Sequence, residues 1–331
     1  MRKLNKKSTR FYTPNMTISK LLTTPLTVIV GITGKQGGSV ARALIASDKP
    51  YRLRGLTRDI TKESARKFVD EGVEMVAVNL SADRPEEALK AFAGADIAFT
   101  MTNWNEYLDG EKELAVGKML VDAAKSVGVK LLIWSAIESF TENTNGRFTL
   151  AQFCDSKAAV TAYARASGVP LALAKPGFFA TNILAAFYAL KPQGDDTYLF
   201  TLPISGATRV PLMDPAHDYG LYVQAAIESP ELGAGSEVRG GQMISLEEIV
   251  AQLSQVCGKK ITYKQVEREA WMAAFPPSAK FMAPILGDMF QTFEAVGFFG
   301  GKLPTNTDML ARSPRTWMET LEAIPKNQLP A

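Results

Sequence analysis

The chain has 331 residues, of which 46% are hydrophobic and 21% are charged. This length accommodates one large domain or two moderate ones, and this composition excludes a disordered or collagen-like chain. Two cysteines and a single histidine exclude a disulfide scaffold and a Cys/His metal site, so no metal is predicted. The longest apolar stretch, residues 178–190, is too short to span a bilayer. We expect a soluble, intracellular protein.

The net charge of +3 is unevenly distributed along the chain. Residues 1–24 carry six basic residues and no acidic residue, so the remainder has a net charge of −3. We interpret residues 1–24 as a basic, flexible extension and predict neither direct nucleic-acid binding nor a membrane partner for the folded body. We expect a cytoplasmic protein with a nuclear location as an alternative; the Ser-rich, acid-poor extension also has features of a mitochondrial transit peptide.

Short apolar strands alternate with helical segments from residue 25 to residue 175. The predicted strands are 26–32, 51–57, 73–78, 95–102, 130–135 and 170–175, and the predicted helices are 39–47, 61–71, 85–92, 110–127 and 154–167. This alternation is typical of βαβ units, in which right-handed crossovers place helices on both faces of a parallel sheet. The pattern therefore predicts an α/β fold built on a doubly wound parallel sheet.

Beyond residue 177 the alternation decays. Helical stretches are predicted at 246–256, 279–296 and 314–323, with one strand at 260–266. We predict a first domain at residues 25–180 and a smaller, mixed C-terminal substrate lobe at 181–331. Because residues 214–227 have the pattern of a helix that could pack on the sheet, we expect residues 205–228 to return to the first domain.

A glycine-rich turn joins the first predicted strand to the first helix. Gly31, Gly34, Gly37 and Gly38 follow the spacing G-x-x-G-x-x-G, the variant found in Rossmann domains of the short-chain dehydrogenase type. Glycines allow the chain to approach a pyrophosphate closely, and the helix N-terminus offers free N–H groups and a positive dipole to its charge. The strand before the turn and the helix after it are the context that this motif requires. We predict an NAD(P)-binding Rossmann domain, with a purely structural turn as the alternative.

The end of the second strand indicates which dinucleotide is preferred. An acidic residue there holds the ribose 2′-hydroxyl of NAD, whereas a nearby arginine accommodates the 2′-phosphate of NADP. Arg58 stands at this place, Lys62 follows four residues later, and Asp59 can face away. We predict NADP(H) as the preferred cofactor and NAD(H) as the alternative; a solvated surface charge is the competing interpretation of Arg58.

Several segments together resemble the NmrA-like family. They are GITGKQGGS (31–39), LTRD (56–59), TNW (102–104), FCDSK (153–157), KPGFF (175–179), VPLMDPAHDYG (210–220) and WMETL (317–321). The resemblance extends from about residue 25 to about residue 325. The family is an atypical branch of the short-chain dehydrogenase/reductases. The resemblance implies a redox sensor that binds NAD(P) and regulates transcription through a protein partner, such as a transcription factor, with an NADPH-dependent reductase as the alternative.

The resemblance also implies which residues surround the dinucleotide. The glycine turn would hold the pyrophosphate, Asn79 would flank the adenine where the family usually has Asp, and residues 179–182 would close over the nicotinamide. The implied cofactor-binding residues are Gly31, Thr33, Gly34, Lys35, Gln36, Gly37, Gly38, Arg58, Lys62, Asn79, Leu80, Thr102, Asn103, Trp104, Lys157, Phe179, Ala180, Thr181 and Asn182.

The catalytic interpretation depends on Phe153 and Lys157. A typical short-chain reductase uses Tyr-x-x-x-Lys, because this spacing places the tyrosine proton donor and the lysine on one helix face. Lys157 is retained, but Phe153 cannot donate a proton, and Ser135 or Ala136 takes the place of the usual serine. Lys157 is therefore the catalytic candidate. It either binds the cofactor in a sensor, acts as general acid on a small apolar carbonyl or enone, or is a surface charge.

Overall fold

The computed structural model describes residues 18–19, 21–183, 191–229, 231–325 and 329. The strands are β1 (Leu26–Val30), β2 (Arg52–Thr57), β3 (Glu74–Ala77), β4 (Ile97–Thr100), β5 (Leu131–Ser135), β6 (Leu171–Lys175), β7 (Phe178–Phe179), β8 (Lys191–Gly194), β9 (Thr197–Leu202), β10 (Arg209–Met213), β11 (Glu237–Arg239), β12 (Gln242–Ser245) and β13 (Lys260–Gln265). The α-helices are α1 (Lys35–Ile45), α2 (Glu63–Asp70), α3 (Pro85–Phe92), α4 (Trp104–Tyr107), α5 (Gly110–Ser126), α6 (Phe140–Asn143), α7 (Gln152–Ser167), α8 (Tyr219–Glu228), α9 (Leu246–Cys257), α10 (Arg268–Ala273), α11 (Met282–Val296) and α12 (Trp317–Ala323). Most of the predicted basic extension, residues 1–17 and 20, lies outside the described residues.

Seven parallel strands form the large sheet, in the order β3-β2-β1-β4-β5-β6-β11. All five residues of β1 are buried, as expected for a strand that is covered on both faces. The order 3-2-1-4-5-6 is that of the doubly wound dinucleotide-binding fold, and the predicted α/β class is confirmed. Strand β11, which was not predicted, adds a seventh strand beside β6.

Two hydrophobic cores lie on the two faces of this sheet. Val28 and Val30 pack with residues of α3, α5 and α7 on one face. Ile29 packs with residues of α1, α2 and α8 on the other face, since successive side chains of a strand point in opposite directions. Helix α8 lies against α1 so closely that a Cβ atom on Gly220 would be 2.0 Å from the carbonyl oxygen of Ser39. The chain beyond residue 205 thus contributes a helix to this layer.

The rest of the second half surrounds two small mixed sheets, ordered β12-β10-β7 and β13-β9-β8. Their core is rich in aromatic residues and includes side chains of α9, α11 and α12. Helix α9 begins with a capping box, in which Ser245 and Glu248 each bind the other's backbone N–H. Within the described ranges, the helices are all too short or too polar to cross a bilayer.

Some predicted helix boundaries were wrong around the carboxyl ends of the large sheet's strands. Helix α1 begins at Lys35, four residues before the predicted start. The glycine turn is short, because a single hydrogen bond from Gly34 N to Gly31 O (2.8 Å) completes it just before the helix. Helices α4 and α6 were not predicted. Each has only four residues and depends on a side-chain cap, Asn103 for α4 and Ser139 for α6, so neither has a periodic apolar pattern in the sequence.

Candidate cofactor and ligand site

The strand order of the large sheet reverses between β1 and β4, and a crevice opens at their carboxyl ends. Open α/β sheets bind ligands at this place. The crevice has a volume of about 500 Å³. The predicted cofactor residues that line it are Gly31, Thr33, Gly34, Lys35, Arg58, Lys62, Asn79, Leu80, Thr102, Asn103, Phe179 and Asn182. Residues that are far apart in the sequence therefore meet along one groove.

The glycine turn forms one wall of the crevice. Gly31 has a φ of +67°, which side-chain-bearing residues adopt at a cost. A Cβ atom on Gly37 would stand 2.4 Å from the Gly31 carbonyl oxygen, so only glycine lets α1 pack on the turn. The N-cap residue of α1 is Gly34, which has no side chain to cap the helix. Its first N–H groups and dipole are therefore available to a phosphate, and this wall fits a pyrophosphate.

The remaining predicted cofactor residues do not line the crevice itself. Gln36 Nε2 donates to Ser135 Oγ at 2.8 Å, which ties the turn to the end of β5. Thr181 Oγ1 accepts a hydrogen bond from Lys35 Nζ at 2.9 Å. Gly37, Gly38 and Ala180 are buried beneath the surface of the groove, whereas Trp104 and Lys157 line a second, adjoining pocket.

The end of the crevice beside β2 carries charges of both signs. Arg58 Nη1 lies 3.3 Å from Glu106 Oε1 on α4. Asp59 Oδ1 accepts hydrogen bonds from the Thr61 hydroxyl (2.6 Å) and amide (2.8 Å), which hold the pKa of Asp59 below its usual value. Asp59 is thereby engaged with its own loop, and Arg58 and Lys62 are the cations that a 2′-phosphate would meet.

An apolar pocket of about 380 Å³ adjoins the crevice. Asn105, Phe179 and Asn182 line both spaces, so the two are continuous. The other residues of this pocket come from the end of β5 and the segment after it, from α4, α6, α7 and α11, from the segment around β7 and from Phe298, and most of them are apolar. They include Trp104, Phe140, Phe153, Phe178, Met282, Leu286, Met289, Phe293 and Phe298.

Three of the residues that line this apolar pocket carry hydrogen-bond donors, namely Lys157, Ser135 and Trp104. The indole Nε1 of Trp104 is buried and has no hydrogen-bond partner among the described residues. A buried N–H without an acceptor is costly, so this group favours a bound molecule that presents an oxygen. The pocket has the apolar walls and few polar groups that are typical of small-molecule sites.

Lys157 belongs to a buried hydrogen-bond network. Its Nζ lies 2.5 Å from Oε1 of Glu113, a carboxylate that is completely buried on α5. Thr102 Oγ1 donates to the same carboxylate at 2.8 Å, and Ser156 Oγ donates to its other oxygen. The Lys157 side chain is only 16% exposed, which contradicts its interpretation as a surface charge.

Phe153 lies on α7 one turn before Lys157 and its ring is 6.1 Å from that of Trp104. It therefore occupies the place that a proton-donating tyrosine would take, as the four-residue spacing predicts.

Sequence reasoning missed several residues of this site. Glu106 and Asn105 lie on the short helix α4, and the signal for that helix is the N-cap Asn103 with an acid three residues later. Glu113 stands three residues before Val116 and seven before Leu120, so it occupies a position on the inward face of α5. A charged residue in an otherwise apolar helix face indicates a buried group with a partner, so the burial of Glu113 could have been predicted from the sequence.

Comparison with known proteins places this geometry in a family. The NmrA-like family model matches residues 23–321. The oxidoreductase FrzB of Cladobotryum sp., named for its NmrA-like family domain, is 31% identical over 256 residues, which are 72% of this chain and 75% of FrzB. A relative from Aspergillus flavus, the oxidoreductase lnaB, is 33% identical over 260 residues, 73% of this chain and 75% of lnaB.

Solved structures agree with this assignment at the level of the fold. NmrA, a negative transcriptional regulator crystallised with NAD and with NADP, aligns with a TM-score of 0.73 and 20% identity over 91% of this chain and 95% of NmrA. The triphenylmethane reductase of Citrobacter sp., in complex with NADP(H), aligns with a TM-score of 0.68 and 18% identity over 90% of this chain and 99% of the reductase. The resemblance seen in the motifs is confirmed, and the chain belongs to the NmrA-like family.

Proposed function

We propose that this protein is an NADP(H)-dependent oxidoreductase that reduces a small apolar carbonyl or enone compound. The observation that carries the proposal is the continuity of the apolar pocket with the crevice at the strand-order reversal, through Phe179, Asn105 and Asn182. A regulator that only reports cofactor state needs no apolar pocket of about 380 Å³ beside the nicotinamide end. The names of the oxidoreductase relatives FrzB and lnaB also support it.

The cofactor supplies a hydride when bound, and the residues of this chain bind and orient it. The N-terminus of α1 would hold the pyrophosphate, and Arg58 and Lys62 would pair with the 2′-phosphate. Phe179 and Asn182 stand where the two spaces join and would orient the nicotinamide toward the pocket. The aromatic walls make this region apolar, and a bound substrate that displaces water from it would strengthen electrostatic interactions there.

Lys157 supplies the polar chemistry of the pocket in this proposal. Its ammonium group holds a proton at Nζ, borders the pocket and can orient a carbonyl oxygen and donate that proton to it. Glu113 accepts a hydrogen bond from Lys157 and holds it in place, and Thr102 and Ser156 in turn donate to the Glu113 carboxylate. Phe153 adds apolar surface and leaves Lys157 as the proton donor at this place on α7.

A second candidate is a redox sensor that acts through a protein partner, such as a transcription factor, in the cytoplasm or the nucleus. The observation that favours it is the pairing of Lys157 with Glu113 while Phe153 occupies the tyrosine position. In that case Lys157 would only bind the nicotinamide ribose, and cofactor binding would shift the protein between two conformations.

Calorimetric titration with NADP⁺, NADPH, NAD⁺ and NADH, followed by NADPH oxidation over a panel of apolar ketones, enones and quinones, tests both candidates. We expect the wild type to turn over at least one compound. Lys157→Met should lose about 100-fold or more in kcat at saturating NADPH, because a positioned proton donor contributes about 10²–10⁴-fold. Lys112→Met is the matched control, since Lys112 on α5 is 71% exposed and lies outside both spaces.

Equal turnover by wild type and Lys157→Met would refute the role of Lys157. Tight binding without turnover, combined with different affinities for the oxidised and reduced forms, would favour the sensor instead.

A further inference from the structure

Glu106 is a carboxylate at the end of the crevice where a 2′-phosphate would bind. It accepts a hydrogen bond from Asn103 Nδ2 at 3.1 Å, and its Oε1 lies 3.3 Å from Arg58 Nη1. Arg58 and Glu106 both line the crevice. Their side chains are 66% and 33% exposed, so water reaches both groups and the pair can exchange partners.

The charges around this end balance one another. Arg58 and Lys62 are positive, and Asp59 and Glu106 are negative. Asp59 is engaged by Thr61, so Glu106 is the carboxylate that holds Arg58. A 2′-phosphate carries nearly two negative charges. To pair with Arg58 it must displace Glu106 from the guanidinium, and it then lies close to the Glu106 carboxylate, which repels it. The neutral 2′-hydroxyl of NAD has no such conflict and can donate to a carboxylate.

We propose that Glu106 is a specificity-determining residue that limits the preference of this protein for NADP(H) over NAD(H). It does so by competing for Arg58 and by offering the acidic partner that is missing from the end of β2. Glu106 lies on helix α4, which follows β4, the strand that pairs with β1 on the side opposite β2. The acid therefore reaches the 2′-phosphate end from the other side of the crevice. The inference rests on the proposed binding of a nicotinamide dinucleotide in the crevice.

Titration of NADP⁺ and NAD⁺ into wild type, Glu106→Gln and a control variant tests the inference without any turnover. Glu106→Gln should tighten NADP⁺ binding about two- to fivefold, the range that corresponds to one exposed ion pair. NAD⁺ binding should stay unchanged or weaken, so the ratio of the two dissociation constants rises. The gain in NADP⁺ affinity of Glu106→Gln over wild type should become smaller at high salt, because salt screens exposed charges.

Glu248→Gln is the control. Glu248 also pairs with an exposed arginine, Arg209 at 3.1 Å, and its side chain is 52% exposed, but it lies on α9 and lines neither the crevice nor the apolar pocket. It should leave the ratio unchanged. In an Arg58→Ala background, Glu106→Gln should give a smaller gain than in the wild type, because part of its effect passes through Arg58.

Weaker NADP⁺ binding by Glu106→Gln would show that Glu106 positions Arg58 and would overturn the inference. An equal change for both cofactors, or a ratio that Glu248→Gln also shifts, would overturn it as well while the proposed function stands. A wild type that binds neither dinucleotide would remove the proposed function and this inference together.

Discussion

Removal of Lys157 should destabilise the fold through the carboxylate that it leaves behind. In Lys157→Met, the completely buried Glu113 keeps two hydroxyl donors, Thr102 and Ser156, but loses the ammonium group at 2.5 Å. Removing one partner of a buried ion pair costs about 3–5 kcal/mol. Because Lys157 is 16% exposed and the hydroxyl donors remain, we expect a loss of about 2–4 kcal/mol in the free energy of unfolding.

Glu113→Gln should cost less, about 1–2 kcal/mol, because the Lys157 ammonium group reaches water and the amide fills the same space. The double variant should lose less than the sum of the single variants, with a coupling of about 1 kcal/mol or more. Urea unfolding followed by circular dichroism at pH 7 measures these values. Lys112→Met, on the exposed face of α5, is the control and should change stability by about 0.5 kcal/mol at most. A Lys157→Met variant as stable as this control would refute the buried pair.

Two further predictions concern the sheet and its turn. Gly37→Ala should weaken dinucleotide binding by about tenfold or more in a calorimetric titration and should destabilise the protein by about 1–3 kcal/mol. The reason is that the new Cβ would stand 2.4 Å from the Gly31 carbonyl oxygen. Unchanged affinity would contradict the assignment of the turn to pyrophosphate binding. Hydrogen bonds from Lys130 and the Leu26 amide hold the pKa of Asp96 below its usual 3.8, so its contribution to stability is complete above pH 3.8 and is lost as the pH falls through the lower folded value. Urea midpoints of Asp96→Asn should therefore lie below those of wild type at pH 7, and the gap should close below about pH 4; a gap that is constant with pH would exclude the charge as its cause.

Local patterns predicted the first half of the fold well because each of its elements is regular. The apolar run of β1 and the helix at Pro85–Phe92 are visible in the chain without reference to any other segment. The second half was harder to predict. Strands such as β7 and β11 have only two or three residues and are strands because a neighbouring strand pairs with them, so their own sequences carry no periodic signal.

The same distinction holds within the site. The glycine turn and the cation after β2 could be located from spacing alone, because the chemistry of a pyrophosphate and a phosphate demands particular residues at particular strand ends. The ion pair of Lys157 with Glu113 joins residues 44 positions apart on two packed helices. The pairing of Arg58 with Glu106 depends in the same way on a four-residue helix that no periodicity reveals.

The amino-acid sequence by itself determined the α/β class, the dinucleotide-binding turn and the family, since these depend on short-range spacing, local backbone freedom and the burial of strands. Only the tertiary structure decided which charges meet, which helix covers which face and that an apolar pocket opens into the crevice. These features come from residues such as Phe153, Phe179 and Phe293, which are distant in the chain. Their contact depends on how the helices and small sheets of the second half of the chain pack against the large sheet, and packing of this kind is not encoded in any single segment.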